Sequence, residues 1–254
     1  MELADLARQS GLERPSIVVE RLSDGRHWTH VPARTLYPAS MIKVPLVAAA
    51  LIDLAEDRLE EHARVRVGVA NVTANDLDSP LVAGYEASLE ELFALTISRS
   101  DNVGTNQLFD LVGRERGTRL VRERLGLRDT SFRRKLSGGH PLLVDPQQTG
   151  RNAHPAVDAA TLFRAIAQRS FAGAERLHGY LEQQEWNAKL TAGLRPGDRF
   201  AHKTGDTDEV SHDGGILTTV EGERYVLVVY SASTSSEATD ARFAELMRRL
   251  RPRL

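Results

Sequence analysis

Residues Ala39–Ala55 carry apolar side chains on nearly every side of the helix they are predicted to form. A helix with no polar face cannot lie on a surface, where part of its apolar area would stay in water. The rest of the chain must therefore enclose this segment. At 254 residues it is long enough to do so, as one large domain or two modest ones.

What lies on either side indicates how. Residues 2–10 read as a short helix with Leu3, Leu6 and Ala7 on one face and Gly11 as its stop. Ser16–Leu22 and Arg26–Val31 read as strands joined by Ser23-Asp24-Gly25, a hairpin signal. Strand patterns return in Arg199–Gly205, Ser211–Val220 and Arg224–Ser231, and a last helix from about Ala238 repeats Phe243, Leu246, Met247 and Leu250. Between Asp57 and Lys189 the pattern is helical pieces and loops, one helix opened by the capping box Ser88-Leu89-Glu90-Glu91. Ser131–Pro155, with three prolines, three glycines and no clean period, reads as a long ordered loop, a kind that is usually functional.

The economical fold is α/β (α+β): a five-stranded antiparallel sheet built from both termini, flanked by the terminal helices, with an inserted all-helical domain. The expected boundaries are 1–56 with 190–254 for a discontinuous α/β domain and 57–189 for the helical one, the active site lying in the cleft between them.

Composition narrows the function. A formal net charge of −2 lacks the footprint of a nucleic-acid binder, and no apolar run approaches the roughly 18 residues of a membrane span. With no cysteine there is no disulfide, thiolate metal site or cysteine nucleophile. No metal or other cofactor is expected, and a monomer is. The opening Met-Glu-Leu-Ala-Asp-Leu has no signal-peptide character, so a cytoplasmic location is expected as written, or a periplasmic or secreted one if a leader was removed. The 33 basic residues comprise twenty-nine arginines and only four lysines: Lys43, Lys135, Lys189 and Lys203. Only lysine can lose its proton near neutral pH when buried, so each survivor is a candidate for chemistry.

Ser40-Met41-Ile42-Lys43 opens the apolar helix, and a spacing of three puts Ser40 and Lys43 on one face. Desolvation among Ile, Val and Ala should depress the Lys43 pKa and make a neutral amine available to activate Ser40 as a nucleophile. A capping serine followed by a snorkelling lysine is the plain alternative. Ser100-Asp101-Asn102 stands at a helix–helix junction, where capping is the ordinary role, Asp101 being the best suited to it. Functionally, Ser100 would relay a proton and Asn102 hold an amide. Lys203-Thr204-Gly205 closes a strand, with Lys203 as fixed charge and Thr204 as a hydroxyl donor. The N–H groups of Asp206 and Ser40 are candidate oxyanion donors.

The three motifs in this order resemble the class A β-lactamases and penicillin-binding proteins, class A most closely, over nearly the whole chain. The resemblance implies an acyl-enzyme on Ser40, with Lys43 removing its proton and Ser100 passing one to the leaving nitrogen. Asn102 would then bind the acyl-amide side, and Lys203 with Thr204 would receive the substrate carboxylate. The substrate would be a small β-lactam, or an acyl-peptide or ester.

Two departures follow. Class A enzymes hydrolyse the acyl-enzyme with a loop glutamate in a Glu-x-x-x-Asn pattern, but Ser131–Pro155 holds no glutamate, and the matching place falls near Gly138-Gly139-His140. His140, His154 and the loop's one acid, Asp145, are the weak substitutes, and Asn152 stands where a supporting acid would make an ion pair. Asp206 follows the third motif where small neutral residues are usual, and the next strand offers Ser211-His212 rather than arginine. Either the substrate is less anionic, or Asp206 turns away to pair with Arg224 or Lys203. The layout favours β-lactamase-like hydrolysis; the missing glutamate favours a D-Ala-D-Ala peptidase or esterase, or a stably acylated binding module. Trp28 and Trp186 are expected to pack, His27, His30, His202 and His212 lack metal-ligand spacing, and Lys135 and Lys189 should be replaceable by arginine.

Overall fold

The computed structural model describes residues 3–254, so Glu2 of the predicted first helix lies outside the described residues. Helix α1 (Leu3–Ser10) is followed by the hairpin of β1 (Ser16–Arg21) and β2 (His27–His30), paired antiparallel. A 3₁₀ turn over Ala39–Ile42 then runs into α2 (Lys43–Ala55), the enclosed helix, every residue of which from Lys43 to Asp53 is buried. A short ribbon of β3 (Arg64–Arg66) and β4 (Glu86–Ser88) precedes α3 (Leu89–Ser98), α4 (Asn102–Val112) and α5 (Arg114–Leu125). After the long loop come α6 (Ala156–Ala167) and α7 (Ala174–Glu182), then the meander β5 (Arg199–Asp206), β6 (Ser211–Thr218) and β7 (Arg224–Ser231), and finally α8 (Glu237–Leu250). The ribbon was not expected: three residues per strand are too few for an alternation to register.

The five-stranded sheet has the order β2-β1-β7-β6-β5, antiparallel throughout. Its two faces bury different residues of the same strands. Ile17 and Val19 of β1, with Leu227 and Val229 of β7, face a core completed by α1 and α8. Val18, Val226, Val228 and Tyr230 face the other way, into the core that holds α2 to α7. The central strand must therefore be apolar at every position, which is why Tyr225–Tyr230 shows no alternation. The terminal helices cover only one face of the sheet; α6, from the middle of the chain, packs on β1, β6 and β7 of the other.

Local signals act where they were read. The Ser88 hydroxyl accepts from the Glu91 N–H at 3.1 Å, and Asp101 caps α4 by accepting from the Gly104 N–H at 2.8 Å. The long loop is pinched at its neck by a bridge between Ser131 and Ala153. Among the described residues no helix is long and apolar enough to cross a membrane.

Candidate active site

The three motifs, 163 residues apart from Ser40 to Lys203 in numbering, meet at one cleft. Ser40 lies in the 3₁₀ turn ahead of α2 rather than in the α-helix itself. Gly205 makes this closeness possible, because a Cβ there would stand 3.1 Å from the Pro38 carbonyl and 3.2 Å from the Met41 nitrogen. The end of β5 thus runs against the turn that carries Ser40. Two residues of the site adopt left-handed backbone without being glycine: Ala39 at φ 46° and Ser100 at φ 60°. Each costs about 1–2 kcal/mol, so the surrounding fold holds them there.

Lys43 is fully buried, and its ammonium donates to the Ser100 hydroxyl at 3.1 Å, to the Ser100 carbonyl, and to Asn102 Oδ1 at 2.8 Å. Burial pushes its pKa well below the ordinary lysine value, and the neighbouring Lys203 adds to the depression. Among the described residues no hydrogen bond joins Lys43 to the Ser40 hydroxyl; the lysine's direct partner is Ser100. Lys203 is equally buried and is brought down to about 7 by desolvation, partly opposed by Asp206. Its Nζ donates to the Thr204 carbonyl at 3.0 Å rather than to Ser100.

Asp206 pairs with neither Arg224 nor Lys203. Its carboxylate takes the Lys189 ammonium at 2.5 Å and the Ser211 hydroxyl at 2.9 Å. Burial alone would raise its pKa, but Lys189 and the hydrogen bonds hold it below the usual carboxylate value. Lys189 also donates to the His212 carbonyl at 3.1 Å and lies over the Phe243 ring, and it is only 4% exposed. The expectation that arginine could replace it at little cost does not fit this burial and these partners. The same holds for Lys135: buried, it donates to Asn71 and, at 2.8 Å, to Asp110. All four lysines are buried.

The loop candidates separate. His140 borders the cleft with Gly138 and Gly139, whereas Asp145 and His154 do not. Asp145 is clasped by Arg114 at 2.7 Å and by the Lys135 N–H at 2.8 Å; these contacts outweigh burial and lower its pKa. The loop thus has an ion pair after all, and Asn152 serves by accepting from the N–H groups of Arg133 and Arg134. His154 is buried against the Thr130 hydroxyl, and desolvation pulls its pKa down to about 3. His202 is held by Asp213 at 2.8 Å, and His212 by the Tyr37 carbonyl at 2.8 Å.

Several cleft residues had no sequence signal. Trp186, expected to pack, borders a cavity of about 270 Å³ beside Ser40, together with Asp76, Ser235 and Asp240. The segment before Asp76 also braces the motifs: Asn102 donates to the Ala74 carbonyl at 3.0 Å, and a Cβ on Gly138 would collide with that same oxygen. These positions became visible only when distant loops met.

The family model described as the β-lactamase enzyme family matches residues 1–250. The chain is 23% identical over 224 residues to the extended-spectrum β-lactamase PER-1 of Pseudomonas aeruginosa, covering 82% of this chain and 71% of that one. Among solved structures it resembles PBP-A with a TM-score of 0.84 at 23% identity, covering 99% and 97% of the two chains. A point variant of PBP-A, solved as its acyl-enzyme with penicillin G, gives 0.84 at 22% identity, covering 99% and 98%. An ancestral class A β-lactamase gives 0.86 at 22% identity, covering 100% and 98%. With the five-stranded sheet, the enclosed helix and three motifs converging on Ser40, the whole-length match places this chain in the β-lactamase enzyme family.

Proposed function

We propose that the protein is a serine hydrolase working through an acyl-enzyme on Ser40, with β-lactams or related acyl compounds as substrates. The observation that carries this reading is the buried Lys43 amine, held 3.1 Å from the Ser100 hydroxyl beside the cavity that Ser40 borders. A lysine forced toward neutrality beside the Ser100 hydroxyl can take a proton at neutral pH. In the acylation step the Ser40 oxygen bonds to the substrate carbonyl carbon and its proton passes to the Lys43 amine. Ser100, hydrogen-bonded to Lys43, returns a proton to the leaving nitrogen, oxygen or sulfur as its bond to that carbon breaks. The N–H groups of Ser40 and Asp206 stabilise the oxyanion, Asn102 takes the acyl amide, and Lys203 with Thr204 borders the leaving-group side. The cleft is read as lying between an α/β part, 1–56 with 190–254, and a helical part, 57–189.

Deacylation is the slow half of the cycle in this reading. The loop's only acid is committed to Arg114, and the loop residues that border the cleft, among them Arg134, Ser137, Gly138, Gly139, His140 and Arg151, include no carboxylate. Lack of a positioned base costs roughly 10²–10⁴-fold. This supports the peptidase, esterase or stably acylated variants over efficient β-lactam turnover. A structural neighbour, a point variant of PBP-A, has been solved as an acyl-enzyme with penicillin G, in keeping with that. The test is a chromogenic cephalosporin followed by absorbance and intact mass. A Ser40-dependent adduct that accumulates faster than it turns over is expected; no adduct and no turnover, with Ser40→Ala indistinguishable from the parent, would overturn the reading.

A further inference from the structure

The chain leaves α3 through Ser100, in left-handed backbone at φ 60°, and the carbonyls from Ile97 to Ser100 all accept hydrogen bonds from outside the helix. The last carbonyls of a helix have no partner within it. Here the segment 184–186 supplies three of the four donors. The Gln184 side-chain amide donates to the Ile97 carbonyl at 3.1 Å, the Glu185 N–H to that of Ser98 at 3.0 Å, and the Trp186 indole N–H to that of Arg99 at 3.3 Å. The fourth carbonyl, Ser100, takes the Lys43 ammonium. The same segment continues onto the sheet. Asn187 Oδ1 meets His202 Nε2 at 3.2 Å, and the Leu190 N–H donates to Asp213 at 3.0 Å. Gln184 spans both sides by itself: its Nε2 also reaches the carbonyl of His202, next to Lys203, at 3.4 Å, while its Oε1 accepts from the Trp186 N–H at 3.2 Å. Gln184 is buried and is not part of the lining of the cavity beside Ser40.

Nothing in Ser100 itself favours left-handed backbone, because its Cβ opposes it. The conformation needs a restraint from outside, and it is the one that turns both the carbonyl and the hydroxyl of Ser100 to Lys43. We propose that Gln184 and Trp186 are positioning residues for Ser100: they lock the end of α3 so that the Ser100 hydroxyl stays on Lys43 and delivers its proton to the leaving atom. In that step the bond between the acyl carbon and the leaving atom breaks. The leaving atom keeps the bonding pair and takes the Ser100 proton, and the Lys43 ammonium, protonated earlier by Ser40, restores the Ser100 hydroxyl. The proposal rests on the Ser40 acyl-enzyme reading and adds to it the device that holds the proton donor in place.

The test uses 4-nitrophenyl and 4-nitrobenzyl phenylacetate. Both give the same phenylacetyl adduct on Ser40, and their leaving groups differ by a single methylene. Nitrophenolate departs as a stable anion, whereas nitrobenzyl alkoxide is too basic to depart without a proton. The kcat/KM of each ester, read from released alcohol or phenol, covers the steps up to acylation, and the adduct is followed by intact mass. Ser100→Ala should lower the nitrobenzyl rate about 10²-fold more than the nitrophenyl rate. Gln184→Met and Trp186→Phe should each lower it about 10-fold more, in proteins that keep the parental urea midpoint. Added to Ser100→Ala, either change should cost the nitrobenzyl ester less than about 2-fold, since no donor is left to position. An equal loss for both esters, no loss, or a full further loss on top of Ser100→Ala overturns the proposal and leaves the acyl-enzyme reading standing. If Gln184→Met does not fold, Trp186→Phe, which keeps an aromatic ring and removes the N–H, decides alone. A parent chain that forms no adduct with either ester overturns the proposal, and the cephalosporin experiment then decides whether the acyl-enzyme reading falls with it.

Discussion

The Lys189 ammonium lies 2.5 Å from the Asp206 carboxylate, joining the segment before β5 to the strand's last residue beside Ser40. Removing the lysine leaves Asp206 facing a desolvated setting with only hydroxyl donors. Lys189→Met should destabilise the fold by about 1–3 kcal/mol, less than a fully buried pair would because Asp206 is partly exposed. Lys189→Arg should also destabilise, since a guanidinium overfills the space beside Phe243. Urea unfolding at pH 7 measures both; an arginine variant as stable as the parent would contradict the packing argument.

Lys43 is predicted to act as a base, which requires an amine that can be neutral. Lys43→Arg and Lys43→Ala should each slow Ser40 acylation by about 10²–10⁴-fold. Intact-mass time courses with the cephalosporin read this directly.

Burial brings the Lys203 pKa down to about 7. Its positive charge should therefore fall as pH rises through that value. Acylation by a carboxylate-bearing cephalosporin should then fall relative to acylation by an uncharged phenylacetyl thioester. Taking a ratio removes the titration of Lys43, which both substrates share. A flat ratio between pH 6 and 8 would place Lys203's titration elsewhere.

His154 and His212 are buried as neutral rings, with pKa values brought down to about 3 and about 4 by desolvation. Between those values and the ordinary 6.5, the unfolded chain takes up protons that the folded chain refuses, so stability falls as pH drops below 6.5. At pH 5 the loss should be about 2 kcal/mol for each ring. Urea midpoints between pH 7 and 5 test this, and His154→Gln should flatten part of the slope.

Asp145 is expected to hold the loop rather than to activate water. Asp145→Asn should cost about 1–3 kcal/mol by leaving Arg114 without its anion. The deacylation rate of the remaining folded enzyme should stay unchanged. Gly138→Ala should disturb the loop as well, because its Cβ meets the Ala74 carbonyl. Hydrogen exchange across 131–155 distinguishes a loosened loop from an altered reaction.

How far the sequence alone determined this protein follows from the range of each interaction. The enclosed α2 helix, the Asp24-Gly25 hairpin, the Ser88 and Asp101 caps and the apolar run of β7 depend on neighbours a few residues away, and all were legible. So were the three short motifs, because residue type and spacing carry their chemistry. The pairing of Lys189 with Asp206, the clasp of Arg114 on Asp145, and the place of Trp186 and Asp76 beside Ser40 were not. Each joins residues far apart in sequence or on separate elements, and which partner a charge finds is decided by packing around it. The lysine bias and the apolar neighbours pointed to Lys43 as a buried amine, whereas Lys203, expected as a fixed charge, is buried with its pKa brought down to about 7. Only the tertiary structure decided that Lys135 and Lys189 are buried too, because burial belongs to the assembled core and not to the residue.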